Sequence, residues 1–269
     1  MKDSKKQAII VIPIYRETLS DSELLSLRQC IKILGSFKIF LVCPKKIDLW
    51  LYKSIFQEYD SQFTVEYFSP EYFESVAAYN RLMLSQFFYT RFLQYEYMLI
   101  YQLDAYVFEN KLTEWCDKGY DYIGATWLYP DRKFHETCGN GGFSLRKISS
   151  FISLLKEPLE NKLFSLKGLL CYYRYRGPLH KLKYVLLGLL GYKNTLDYFI
   201  NINPVNEDIF YSSLKYDRFS IPEAQEAMFF SFETEPSFLY KKTESKLPFG
   251  CHAWEKYEYD TFWQKFISI

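Results

Sequence analysis

Apolar residues come in blocks of two lengths along this chain. Gln7–Ile14 reads QAIIVIPI, a nearly unbroken β-branched run, as expected of a strand buried on both faces. It ends at Pro13 and the polar Tyr15-Arg16-Glu17. Ser20 then offers a helix cap, with Glu23 three residues on to complete a capping box. The helix that follows, SELLSLRQCIKIL, sets Leu24, Leu27, Ile31 and Leu34 on one face and stops at Gly35. Lys38–Val42 (KIFLV) is a second short strand. This β-α-β spacing predicts a parallel sheet.

The same reading predicts a helix over 47–59 and a third strand over 64–68. A long amphipathic helix is expected from Ser75 to about Tyr95, and the apolar run YMLIYQLDAYVF then crosses the sheet. Polar groups appear where that run should leave the core, at Gln102 and Asp104. Leu112–Cys116 suits a short helix and YDYIG (120–124) another strand. Gly139-Asn140-Gly141-Gly142 leads into FSLRKISSFISLL, read as a turn opening into a helix. Asn206-Glu207-Asp208 starts a further helix, and PFGCHAWEKY lies near the C-terminus.

Composition narrows the class. With 269 residues, the chain suits one large α/β domain. Its 33 basic and 32 acidic residues nearly cancel, so no global field favours a nucleic-acid partner. The six cysteines are scattered without a C-x-x-C pair, which indicates neither a disulfide framework nor a structural metal. Aromatics reach 20%, which suits an aromatic-rich core and also Tyr and Trp faces for stacking on sugars or a base. The N-terminal MKDSKKQ lacks a signal-peptide h-region, and the longest apolar stretch, about 184–192, falls short of the roughly 20 residues a bilayer needs. A cytoplasmic protein is the expectation. One segment is unusual: residues 161–196 hold no acid, but carry Lys162, Lys167, Arg174, Arg176, Lys181, Lys183 and Lys193 among Leu and Tyr. Such a mixture suits an interfacial helix, hence peripheral contact with the inner face of a membrane or with a lipid-linked acceptor. The ordinary alternative is a helical pair whose cations point to water.

Four constellations carry candidate chemistry. Asp104 ends a strand, where open α/β sheets bind ligands, and an acid there can hold a divalent ion or simply cap a helix. The glycines of GNGGFSLR permit close backbone approach to a ligand, or make a tight connector. Glu207-Asp208 offers a carboxylate able to accept a proton from a hydroxyl, or acids that suit a helix N-terminus. His252 is one of three histidines, and a lone histidine is more often structural than a ligand.

The order of these features resembles the GT-A glycosyltransferases: a first strand ending I-P-I-Y, a helix carrying Y-N-R, a strand ending in an acid, a glycine turn, an E-D pair and a late His. IPIYRE, YNRLM, YQLDAYVF, YDYIGA, GNGGFSLR, NEDIF and LPFGCHAWEKY also resemble a bacterial family labelled a domain of unknown function among such transferases. The resemblance covers about residues 8–256 and is weakest over 155–200.

It implies a GT-A-like, Rossmann-related α/β fold with a mostly parallel central sheet flanked by helices. A single domain over 1–269 would divide into a nucleotide-sugar half (7–125) and an acceptor half (126–269) bearing a helical insertion near 155–200. Pro13, Tyr15, Arg16, Asn80, Gln102 and Asp104 would bind the nucleotide sugar, by default a UDP-sugar. Gly141, Gly142, Phe143 and Trp127 would shape the cleft for donor sugar and acceptor, the latter a saccharide or a lipid-linked one. Asp208, or Glu207 beside it, would be the general base of an inverting transfer. Asp104 and His252 would hold Mn²⁺ or Mg²⁺. One departure stands out: the D-x-D position reads Asp104-Ala105-Tyr106, without its second acid. That gap leaves room for a metal-independent enzyme or a non-catalytic sugar- or nucleotide-binding module. A nucleotidyltransferase is a weaker alternative, because YRETLSDSELL lacks the Gly-rich basic loop it should show after the first strand.

Overall fold

A computed structural model describes residues 6–173, 176–202 and 204–268. The charged head before Lys6, and Arg174 of the basic segment, lie outside the described residues. The chain begins with β1 (Lys6–Pro13), α1 (Asp21–Leu34), β2 (Lys38–Pro44), α2 (Trp50–Glu58) and β3 (Phe63–Phe68). Next come α3 (Val76–Met83), α4 (Gln86–Thr90), β4 (Tyr95–Tyr101), β5 (Ala105–Val107), α5 (Leu112–Asp117) and β6 (Tyr122–Ile123). A hairpin of β7 (Thr126–Leu128) and β8 (Phe134–Cys138) precedes β9 (Phe143–Lys147) and α6 (Ile148–Leu155). The remainder holds α7 (Leu166–Tyr172), α8 (Pro178–Leu189), α9 (Glu207–Ser213), α10 (Ala224–Phe230), β10 (Ser231–Phe232), α11 (Pro236–Lys242) and β11 (Gly250–His252).

The central sheet has the order β3-β2-β1-β4-β9-β6. Its first four strands are mutually parallel, while β9 runs antiparallel to both β4 and β6. The fold is thus mixed α/β with a mostly parallel central sheet flanked by helices, as expected from the sequence. Central β1 is buried on both faces, with Ile9, Ile10, Val11 and Ile12 at most 1% exposed. The capping box at Ser20 and Glu23 forms with both of its hydrogen bonds. Chain order reverses between β1 and β4, which opens a crevice at their carboxyl ends, the usual ligand position in such sheets.

Two expectations about elements are corrected. The long helix from Ser75 breaks at Leu84, because the Ser85 side chain accepts from Phe88 N and caps a second, short helix. Phe143–Lys147 is a strand rather than the start of a helix: it pairs along β4 from Tyr101↔Phe143 to Tyr97↔Lys147. The helical spacing of Leu145, Ile148, Phe151 and Ile152 is real only from Ile148 on, in α6.

A small second sheet, β10-β11-β5, shapes one side of the crevice. There β11 runs antiparallel to β5, in a register that puts His252 opposite Ala105. Helix α1 grips β5 from behind: Ser26 Oγ donates to Ala105 O at 2.6 Å and Gln29 Nε2 to Val107 O at 2.8 Å. The turn carrying Asp104 is therefore pinned between two sheets. A separate core of Tyr106, Phe232, Cys251, Trp254 and Trp263 anchors this sheet to the C-terminal segment. Among the described residues, no helix is long and apolar enough to cross a membrane.

Candidate active site

The crevice is a cleft of about 780 Å³, a volume typical of small-molecule sites. Pro13, Tyr15 and Arg16 line it from the end of β1, Asn80 from α3, and Gln102 and Asp104 from the end of β4. Gly141 and Gly142, Glu207 and Asp208, and His252 close the other side. Thus eleven of the residues singled out in the sequence line one cavity, although they span most of the chain.

Two are elsewhere. Phe143 opens β9 with its ring turned into the core, 5.8 Å from Tyr101 and 5.3 Å from both Phe230 and Phe249 between ring centroids. Its backbone pairs beside the cleft, but its side chain does not reach it. Trp127 sits on the β7–β8 hairpin, edge-on to His135 at 6.2 Å, and is not among the cleft-lining residues.

The glycine turn is a matter of close approach. Gln102 N donates to Gly142 O at 2.8 Å, which extends the β4–β9 pairing by one step and holds the turn over the end of β4. A Cβ at Gly141 would come within 2.3 Å of Glu207 Oε1, and one at Gly142 within 2.0 Å of His252 Nε2. No side chain fits between this backbone and the two groups behind it.

His252 is held between two carboxylates. Its Nε2 is 3.1 Å from Asp104 Oδ1, and its Nδ1 is 3.4 Å from Glu233 Oε1. Glu233 Oε1 also accepts from Asn140 Nδ2 at 2.9 Å, and Asn140 Oδ1 accepts from Gly142 N at 2.9 Å. Burial opposes charge on the imidazole, but Asp104 and Glu233 outweigh it and push its pKa up to about 10. For Asp104, burial pulls the other way, yet the partner imidazole holds its carboxyl below the usual value. The Nε2 of His252 is buried, and its contact with Asp104 is an ion pair. Glu233 went unnoticed in the sequence, although it directly follows the short strand β10, as Asp104 directly precedes β5.

The E-D pair divides into two environments. Glu207 is 3% exposed and paired with fully buried Arg146, whose Nη2 donates to its Oε1 at 2.8 Å. Arg146 Nη1 also donates to Tyr89 Oη at 3.0 Å, and the guanidinium lies over the rings of Tyr122 and Phe151. Glu207 Oε2 has no hydrogen-bonded partner. Asp208, half-buried beside it, accepts from Ile209 N at 2.7 Å. Desolvation first, then the charges of Glu207 and Glu233, push its pKa up to about 6 against two opposing backbone hydrogen bonds. Asn80 ties α3 to the same helix start: its Nδ2 donates to Asn206 Oδ1 at 3.1 Å.

As a test for a metal, the donor set is one carboxylate and the imidazole nitrogen paired with it. Among the described residues, no group of three or more His, Cys, Asp or Glu side chains assembles as a metal cage. The imidazole is held protonated between Asp104 and Glu233, so it would serve as a ligand only once a divalent cation displaced the Nε2 proton; Asp104 and His252 would then supply two ligands, and a diphosphate and water the rest.

A family model described as "Protein of unknown function (DUF5672)" matches residues 62–252, well over half of the chain, and the chain belongs to that family. No curated protein matches it. Among solved structures, it is similar to core-mannan synthase A of Aspergillus fumigatus in a Mn/GDP form (9% identity, TM-score 0.46, over 79% of this chain and 70% of that one). It is also similar to the apo glycosyltransferase GlyE of Streptococcus pneumoniae TIGR4 (12% identity, TM-score 0.48), covering 92% of this chain but 54% of that longer one. A cytidylyltransferase of Leptospira borgpetersenii is a third (9% identity, TM-score 0.34, over 55% of this chain and 63% of that one).

Proposed function

We propose that this member of the DUF5672 family is a glycosyltransferase that moves a sugar from a nucleotide-sugar donor to a saccharide or lipid-linked acceptor in glycan synthesis. One observation carries the reading: a single cleft at the strand-order reversal combines an acid–imidazole pair at the end of β4, a side-chain-free backbone turn, and a carboxylic acid poised near neutrality. The first suits a diphosphate with its cation, the second a close-fitting sugar, and the third an attacking hydroxyl.

In this reading, residues 7–125 supply most of the donor half of a single domain and residues 126–269 the acceptor half. Pro13, Tyr15, Arg16, Asn80 and Gln102 would bind the nucleoside, a uridine diphosphate sugar being the first to test. Asp104 and His252 would hold Mn²⁺ or Mg²⁺, which when bound offsets charge on the diphosphate. Asp208 is the general base, and a carboxylate with a pKa near 6 is ionised at neutral pH yet basic enough to take a proton. The acceptor hydroxyl gives its proton to Asp208 while its oxygen bonds to the anomeric carbon. The bond from that carbon to the diphosphate oxygen breaks, and its electron pair leaves with the nucleoside diphosphate. A single displacement of this kind inverts the anomeric centre. Glu207, committed to Arg146, supports the helix start rather than accepting the proton.

The missing second acid of the D-x-D position favours a second reading, a nucleotide-binding module without turnover. Thermal denaturation with UDP, GDP, CDP and their sugars, with and without Mn²⁺, tests both. A ligand at a hundredfold its Kd stabilises the fold by about 2.7 kcal/mol. The transferase reading expects a metal-dependent rise with one nucleotide class, lost in Asp104→Asn and His252→Ala, together with sugar release or transfer from that donor. Binding without any turnover supports the module, and no response to any nucleotide refutes both.

A further inference from the structure

The acid-free segment between β9 and α9 takes no part in the cleft, and it has an unusual surface. Helix α8 turns its leucines outward. Leu179, Leu182, Leu186, Leu189 and Leu190 follow one helical stripe and are between 40% and 83% exposed. The buried positions of the helix are Val185 and Gly188. This inverts the ordinary surface helix, whose apolar stripe faces the core.

The orientation is built in. A Cβ at Gly188 would come within 2.7 Å of the Leu169 side chain, so α8 lies close against α7 through its glycine. Buried Asn194 then clamps the end of the helix: its Nδ2 donates to Phe164 O at 2.9 Å and Gly188 O at 3.0 Å, and its Oδ1 accepts from Phe164 N at 2.8 Å. Lys162 Nζ donates to Leu189 O at 2.7 Å, at the helix C-terminus. Leu166 and Leu170 of α7, also exposed, extend the apolar surface.

We propose that α8 docks the protein onto an anionic lipid bilayer, lying in the interface with its leucine stripe among the acyl chains. Charge decides between occupants. Residues 161–196 contain no acid, while Lys162, Lys167, Arg176, Lys183 and Lys193 of the same segment are exposed. A second copy docking through the same face would oppose these cations with the same cations. Lipid phosphates complement them, and leucines flanked by lysines are the composition of an interfacial helix. At 12 residues, α8 can lie on a bilayer but not cross it. The proposal does not depend on catalysis in the cleft.

The test is co-sedimentation of the full chain with vesicles of phosphatidylcholine, with and without phosphatidylglycerol, at low and physiological salt. Binding is expected to the anionic vesicles, weakened by salt and weakened at least about tenfold by Leu182→Glu with Leu186→Glu. Leu179→Glu with Leu190→Glu should do the same from the other end of the stripe, and all four side chains are exposed enough for the thermal midpoint to hold. Lys183→Gln with Lys193→Gln should reduce the preference for phosphatidylglycerol. No binding to anionic vesicles at low salt overturns the proposal. So does binding that both leucine pairs leave intact, or a dimer that the leucine variants dissociate while vesicles are ignored.

Discussion

Asp208→Asn should make the protein more stable and less active, and the size of the first effect follows from the site. The carboxyl is raised from an ordinary 3.8 to about 6, by desolvation first and then by Glu207 and Glu233. At roughly 1.4 kcal/mol per tenfold change in acidity, the ionised form is disfavoured in the fold by up to about 3 kcal/mol. The side chain is half-buried and water screens part of that, so about 1–2 kcal/mol is the expected effect. Its sign is fixed by linkage. Below pH 3.8 the carboxyl is neutral in both states and contributes no penalty. Between about 4 and 6 the unfolded chain releases its proton while the folded one retains it, so stability falls as pH rises, then levels off above 6. Asparagine cannot ionise. The variant should match the parent near pH 4 and exceed it by about 1–2 kcal/mol at pH 7–8.

Urea unfolding of parent and variant across that range gives the difference directly, with the titrations of other carboxylates cancelling. Turnover in the same preparation should fall by about 10²–10⁴-fold, the usual contribution of a general base, with donor affinity nearly unchanged. In the parent, turnover should decline as pH drops through 6. A variant less stable than the parent at pH 8 refutes the electrostatic reasoning. A variant equally deficient in nucleotide affinity moves Asp208 from proton acceptance to donor binding.

The neighbouring acid should behave oppositely. Glu207→Gln leaves Arg146 buried without its counter-charge, and a loss of about 3–5 kcal/mol in urea unfolding is expected; unchanged stability would remove the pair from the fold's support. Gly142→Ala must displace His252, since the new methyl would lie 2.0 Å from Nε2. A misplacement of this order costs about a hundredfold in turnover, and the metal-dependent nucleotide shift should weaken with it while the chain still folds. Full activity in that variant would show that His252 is not held where the chemistry occurs.

How far the sequence reveals such a site depends on which forces build each part. The β-branched run at Ile9–Ile12 and the Ser20–Glu23 capping box are local signals, read correctly because the physics is local. The cleft residues could be picked out one by one, since an acid ending a strand or a glycine run is unusual for its surroundings. Their convergence is tertiary: His252 meets Asp104 only because β11 pairs with β5 in one register. The failures have the same origin. Phe143–Lys147 runs straight into the apolar spacing of α6 and so reads as the start of that helix, and the hydrogen bonds offered by the open edge of β4 make it a strand. That strand then decides which way each side chain faces, turning Phe143 inward and carrying Arg146 to Glu207. Arg146 illustrates the limit most clearly. Nothing near it in sequence marks a buried guanidinium, because its partners Glu207, Tyr89 and Ser144 come from α9, α4 and its own strand. Its ion pair also separates two adjacent acids that look equivalent as letters, committing Glu207 to structure and leaving Asp208 in the cleft with a raised pKa.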